Sequence, residues 1–146
     1  MTGELVLDLF SGTESQLLEA LAVREAVFIR EQGIDPEEEI DDYDGICWHA
    51  IAYLGGKAVG TARLIMLDRF TARIGRVAVL PAVRGKGVAS SLMRLLEDYC
   101  RREGVTRAVL DAQLQVMPLY EKQGYAAEGE PFLDAGIVHR RMTKAL

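Results

Sequence analysis

Arg73-Ile74-Gly75-Arg76-Val77-Ala78-Val79-Leu80-Pro81-Ala82-Val83-Arg84-Gly85-Lys86-Gly87-Val88-Ala89-Ser90-Ser91-Leu92 is the stretch that decides the fold. Its first part, ending in Val77-Ala78-Val79-Leu80, reads as a strand, and Pro81 closes it. Gly85 and Gly87 then break the chain. Beyond them Leu92, Leu95, Leu96 and Tyr99 fall on one face of an amphipathic helix that ends at Gly104. A glycine turn entering a helix bares backbone N–H groups at the positive end of the helix dipole. Arg84 and Lys86 add charge there, while Gly87 and Ala89 leave the backbone open to close approach. The turn therefore suits a phosphate or pyrophosphate better than a bare link between strand and helix.

Working outward, Arg107 to Asp111 is a short buried strand, which makes 73–80 and 107–111 a parallel pair joined by a right-handed helical crossover. A shorter helix follows, carrying Leu119 and Tyr120, accepting Pro118 in its first turn and ending at Gly124. Two last strands are expected around Tyr125 to Glu128 and Gly136 to Thr143. Upstream, Glu4 to Phe10 alternates apolar and polar residues as a strand does. Thr13-Glu14-Ser15-Gln16 fits a capping box for a helix bearing Leu17, Leu18, Leu21, Val27 and Phe28 and stopping near Gly33. Residues 31–44 form an acidic connection. Ile46 to Leu54 and Ala58 to Leu67 make a hairpin about Gly55-Gly56-Lys57. The order β-α-β-β-β-α-β-α-β-β predicts an α/β fold, with a mixed central sheet of six to seven strands flanked by helices and residues 1–146 as one domain.

Several functions are disfavoured by what is missing, with dinucleotide binding left as a poor second. No G-x-x-x-x-G-K-[ST] loop is present, and Gly85-Lys86-Gly87-Val88-Ala89-Ser90 lacks the third glycine of a dinucleotide-binding fingerprint. The acidic run is not an EF-hand: placing Gly45 at loop position six puts Ile40 at one and Ile51 at twelve. A net charge of −5 argues against non-specific nucleic-acid binding. Cys47 and Cys100 have no metal or redox spacing and read as reduced thiols, so no metal is expected. Met1 to Phe10 lacks the basic and apolar regions of a secretory signal, and no stretch approaches a membrane span. The expectation is a cytoplasmic protein, monomer or homodimer, with no membrane partner.

Arg84-Gly85-Lys86-Gly87-Val88-Ala89 satisfies [QR]-x-x-G-x-[GA], and the chain here resembles the GNAT superfamily of N-acetyltransferases. A second family segment, N-x-x-A-x-x-L-Y-x-x-x-G-[FY], is matched from Gln113 to Tyr125, with Gln113 in place of Asn and Val116 in place of Ala. Val23 to Phe28, Glu31-Gln32, the acidic run to Asp44 and His49 are similar to the ElaA-like subgroup of bacterial acetyltransferases. Acyl-homoserine-lactone synthases share an Arg and Phe on the first helix, but the family's acetyl-CoA motif is degenerate in them and intact here. A non-catalytic acyl-CoA sensor is the other alternative.

The resemblance implies an acetyl-CoA-dependent transferase acting on a small-molecule or peptide amine by direct transfer in a ternary complex. It implies that Arg84, Gly85, Lys86, Gly87, Val88, Ala89 and Ser90 hold the pyrophosphate and that Val77, Ala78 and Val79 hold the pantetheine, with Gln113, Leu119, Tyr120 and Lys122 completing the cofactor site. Tyr120 falls where the family places the acid that protonates the departing thiolate. Glu31, Asp44 and His49 are the candidate bases. The carboxylates of 35–44 would either attract a cationic amine or form a solvated loop. Cys47, flanked by apolar residues, would be inert rather than an acyl carrier.

Overall fold

Residues 3–146 are described by a computed structural model; Met1 and Thr2, the first residues of the stretch read for a secretory signal, lie outside the described residues. The strands are β1 (Leu5–Ser11), β2 (Trp48–Leu54), β3 (Lys57–Met66), β4 (Thr71–Val79), β5 (Arg107–Gln113), β6 (Ala126–Asp134) and β7 (Ile137–Ala145). They form one sheet in the order β1-β2-β3-β4-β5-β7-β6. Every neighbouring pair is antiparallel except β4 and β5. The helices are α1 (Leu17–Arg24), which runs on as a π-helix over Glu25–Glu31, then α2 (Pro36–Glu39), α3 (Val88–Arg102) and α4 (Met117–Lys122). This is the mixed α/β sheet that the sequence predicts, with seven strands. Among the described residues no helix is long and apolar enough to cross a membrane.

One face of the sheet is covered by α3. Leu92, Met93, Leu96 and Cys100 on that helix are fully buried against Ala50, Ala62, Leu64, Ile74 and Leu110. Each such leucine stabilises the fold by roughly 1.5–3 kcal/mol. The helix comes so close to β3 that a Cβ at Gly60 would stand 2.8 Å from Val88 Cγ1. Only glycine fits there, and its absence of a side chain sets the seat of the helix that follows the glycine turn.

The parallel pairing of β4 with β5 covers only Thr71, Ala72 and Arg73 against Arg107, Ala108 and Val109. Beyond Arg73 the two strands part. The cause lies on the other edge of β4: against β3, Thr61 faces Ala78 while Arg63 faces Gly75, so Arg76 and Val77 together oppose Ala62. That extra residue is a bulge, which bends the strand. Arg76 takes the left-handed conformation, φ 51°, that a side chain disfavours. It is held there by its guanidinium, which donates to the carbonyl of Glu39 at 3.0 Å and to Asp41 Oδ2 at 3.3 Å.

Three expectations need correction. The capping box does not form: α1 starts at Leu17 with no side-chain cap. The Thr13 hydroxyl turns back to Ser11 Oγ at 3.2 Å, and the Gln16 amide is drawn to Asp8 at 2.6 Å. The strand expected to end at Glu128 continues through Gly129 and Pro131 to Asp134 on the sheet's edge. The acidic connection is a solvated loop only in part: Asp35, Glu37, Glu38 and Asp42 are exposed, but the other carboxylates of 35–44 are not. Glu39 and Asp44 are buried, and both grip the buried Arg24: Nε to Glu39 Oε1 and Nη1 to Asp44 Oδ1, each at 2.6 Å. Arg63 Nη1 joins Asp44 at 3.0 Å and Asp41 at 2.7 Å. Buried charges on this scale persist only when paired and hydrogen-bonded, which this network achieves.

Candidate active site

Where β4 and β5 part, the sheet opens into a cavity of about 550 Å³. Its walls are Ile74 to Val77 and Val79 of β4, Leu110 to Gln113 of β5, the turn and first residues of α3, Leu119 and Tyr120 of α4, and the end of the π-helix from Val27 to Gln32. The turn is built as the glycine spacing predicts. Gly85 and Gly87 both lie at positive φ, and Gly87 caps α3 with no side chain, so the first helical N–H groups are left without partners.

Of the residues singled out in the sequence, Val77, Val79, Arg84, Gly85, Gly87, Val88, Ala89, Ser90, Gln113, Leu119, Tyr120 and Glu31 line this one cavity. Ala78 does not line the cavity; it packs in the cluster of Val23, Val27 and Phe28. Lys86 and Lys122 are exposed and stand outside the walls.

Tyr120 is buried and stacks edge-on to Tyr125 with ring centroids 6.1 Å apart. Its hydroxyl has no hydrogen-bond partner among the described residues. Burial pushes its phenol up to about 12, because the phenolate would lose its hydration. Tyr120 therefore keeps its proton throughout the neutral range.

The base candidates fare differently. Glu31 faces the cavity, but both its oxygens accept from Arg84, at 2.6 and 2.7 Å, and that pairing holds its carboxyl below the usual range. Asp44 lies outside the cavity, committed to Arg24 and Arg63; although burial opposes ionisation, those partners bring its carboxyl down to about 2. His49 is fully buried, stacked on Phe10 at 5.1 Å, and away from the cavity. Its Nε2 donates to the Asp44 carbonyl at 2.9 Å, and its Nδ1 is enclosed without a partner. Burial accordingly holds the ring below the usual histidine range, as a neutral structural imidazole. Cys47 Sγ lies 3.4 Å from the same Nε2, which resembles a nucleophile–base pair. The carbonyl bond already takes the Nε2 proton, so no lone pair is left to activate the thiol. Burial pushes Cys47 up to about 11.

Two cavity residues had no role assigned from the sequence: Gln32, quoted there only as part of a resemblance, and His139, not singled out at all. Gln32, at the end of the π-helix, exchanges amide hydrogen bonds with Gln113 on β5, at 2.9 and 3.4 Å. His139 lines the cavity from β7, directly opposite Gln113 in the β5–β7 register and opposite Phe132 in the β6–β7 register. The only mark of His139 in the sequence is its place on a strand, since its neighbours come from β5 and β6 through a sheet order that no local pattern reveals.

Comparison with known proteins agrees with this geometry. Residues 15–125 match the acetyltransferase (GNAT) family. The Bacillus subtilis protein named uncharacterized N-acetyltransferase YjcF is 41% identical over 132 residues, covering 90% of this chain and 94% of its own. The crystal structure of Escherichia coli ElaA is similar with a TM-score of 0.85 at 28% identity, over 97% of this chain and 99% of that one. An acyl-CoA N-acyltransferase from Pseudomonas aeruginosa gives 0.82 at 28% identity, over 97% and 100%.

Proposed function

We propose that this chain, which belongs to the acetyltransferase (GNAT) family, moves the acetyl group of acetyl-CoA directly to a primary amine of a small molecule or peptide in a ternary complex. The observation that carries the reading is the parting of β4 from β5. It opens one cavity with the anion turn on one wall and the protonated Tyr120 hydroxyl on another. Segment 84–90 takes the pyrophosphate and the backbone of 77–79 the pantetheine, with Gln113 and Leu119 beside it. Lys86 and Lys122, both exposed, serve at most as outer charges for the nucleotide end. Thioester aminolysis then needs a neutral amine, stabilisation of the oxyanion and a proton for the thiolate. Tyr120 supplies that proton.

Desolvation raises Tyr120, which alone would weaken it as an acid, but the same apolar wall raises the pKa of a nascent thiolate too. Donor and acceptor thus stay matched. Cys47 and Cys100 are both buried, with thiols pushed up to about 11, which favours direct transfer over an acyl-cysteine route. We place the enzyme in the cytoplasm, as a monomer or homodimer without nucleic-acid or membrane partners.

The test is thermal stability with added ligands, followed by release of free thiol over an amine panel. Acetyl-CoA should raise the melting temperature with occupancy. NADH and S-adenosylmethionine should leave it unchanged. A shift with NADH alone overturns the reading in favour of dinucleotide binding; S-adenosylmethionine binding would point to a lactone synthase. Acetyl-CoA binding without thiol release to any amine would leave a sensor.

A further inference from the structure

His139 sits on β7 between Gln113 of β5 and Phe132 of β6. By strand alternation it shares a face of the sheet with Arg141, whose partner Asp111 is on β5, and this is the face on which Gln32 reaches Gln113. The imidazole is 9% exposed and lines the cavity. Two contacts fix the ring. Phe132 stacks on it with centroids 6.0 Å apart and planes 24° from parallel. Nδ1 lies 2.7 Å from the carbonyl of Ile137, an acceptor, so Nδ1 carries the proton.

That leaves Nε2 as the bare nitrogen. It has no hydrogen-bond partner among the described residues, and it is not among the polar atoms enclosed without one. His49 shows the opposite arrangement, with Nε2 donating to Asp44 and Nδ1 enclosed without a partner. The two histidines of this chain thus hold opposite tautomers, and only the one at the cavity offers a lone pair to a ligand.

We infer that His139 is the general base that deprotonates the acceptor amine. This rests on the acetyltransferase reading above. An acceptor arrives as an ammonium and sheds two protons on the way to the amide. The first passes to His139 Nε2 and from there to solvent. The amine nitrogen then bonds to the thioester carbon, the carbon–sulfur bond breaks, and the sulfur takes its proton from Tyr120. The second amine proton restores the phenol. Glu31 is not needed as a base, which agrees with its commitment to Arg84.

The experiment uses the full chain saturated with acetyl-CoA and two small probe amines. Methylamine is a cation near neutral pH, whereas methoxyamine is largely neutral there. His139→Gln should slow single-turnover transfer to methylamine by roughly 10²-fold, and transfer to methoxyamine by less than about threefold, because an amine that arrives neutral needs no base for its first proton. Equal slowing of both, or of neither, overturns the assignment. Failure of the wild-type chain to acetylate either probe or any amine of the panel while binding acetyl-CoA overturns the enzyme reading itself, and His139 with it.

A second measurement on the unmodified protein covers the case in which the variant does not fold. Long-range ¹H–¹⁵N spectra should show His139 carrying a proton on Nδ1 and His49 on Nε2, and acetyl-CoA should move the Nε2 resonance of His139 alone. A proton on Nε2 of His139, or indifference of that ring to acetyl-CoA, overturns the proposal.

Discussion

Arg84 donates both terminal nitrogens of its guanidinium to the carboxylate of Glu31, Nη1 at 2.7 Å and Nη2 at 2.6 Å, and its Nε to the carbonyl of Val79 at 3.0 Å. The pair lies on the wall of the cavity and joins the end of the π-helix to the glycine turn. It places a fixed negative charge beside the proposed pyrophosphate site and occupies the cation best shaped for a phosphate. Both side chains are about two-fifths exposed, 42% and 39%, so solvent screens the pair and its worth is about 1 kcal/mol at most.

Glu31→Gln should therefore tighten acetyl-CoA binding, by up to about fivefold at low salt. Calorimetric titration of the wild type and the variant at two salt concentrations checks this, and the advantage should shrink as salt rises. Weaker binding by the variant would mean that Glu31 serves to aim Arg84 rather than to compete for it.

Gly87→Asp tests the turn. A Cβ at this position would meet no atom within 4 Å, so the core is untouched, while the left-handed backbone, φ 80°, costs roughly 1–2 kcal/mol for a side chain. Affinity for acetyl-CoA should fall at least tenfold, about 1.4 kcal/mol, with circular dichroism unchanged. Gly87→Ala carries the strain without the charge and should lose distinctly less. Equal losses would assign the effect to the backbone, and normal affinity in both would place the phosphates elsewhere.

The strand–turn–helix at 73–99 and the Gln113–Tyr125 segment were legible in the sequence because both are local. Glycines, a cation and a hydrophobic period lie within one stretch, and together they give the crossover, the turn and Tyr120. The hairpin about Gly55 and Gly56 was legible for the same reason. The role of the acidic run was not. Charge in a sequence does not say which carboxylates will be paired, and the partners of Glu39, Asp41 and Asp44 come from α1, β3 and β4 as Arg24, Arg63 and Arg76. The bulge at Arg76 leaves no mark either, because a left-handed arginine is imposed by tertiary contacts. His49 and His139 look alike as polar residues on strands; only the sheet order separates the sealed one from the one at the cavity.

The buried network predicts an acid-sensitive fold. The folded protein holds Asp44 at about 2, below its ordinary 3.8, so its contribution is fully present above about pH 4 and is lost as pH falls from there through 2. The linked stabilisation is about 2 kcal/mol. Asp44→Asn leaves Arg24 buried with one carboxylate fewer and should cost about 3–5 kcal/mol near neutral pH. Urea unfolding at pH 6 and at pH 3 measures both quantities. The gap between wild type and variant should narrow at the lower pH, and a gap independent of pH would remove Asp44 from the acid response.

Tyr120→Phe gives the sharpest separation of chemistry from packing. The phenol hydroxyl has no partner among the described residues, and the ring's contact with Tyr125 is made by its edge and face. Removing the oxygen therefore breaks no hydrogen bond within the protein and relieves a partly desolvated polar group. Stability of the free protein should stay within about 1 kcal/mol of the wild type, or rise. If the hydroxyl protonates the departing thiolate, the cost falls on the chemical step: the single-turnover rate should drop by roughly 10²-fold, the low end of general acid catalysis. KM for acetyl-CoA should hardly change, since the thioester sulfur demands a proton only as the carbon–sulfur bond breaks. A packing role requires the reverse, lowered stability with the rate intact. Turnover numbers alone would not separate the two where product release limits kcat, so rapid-quench measurement of the first turnover is the deciding experiment. An unchanged first turnover in a stably folded Phe variant would take Tyr120 out of the reaction and leave the thiolate to be protonated by solvent entering the cavity.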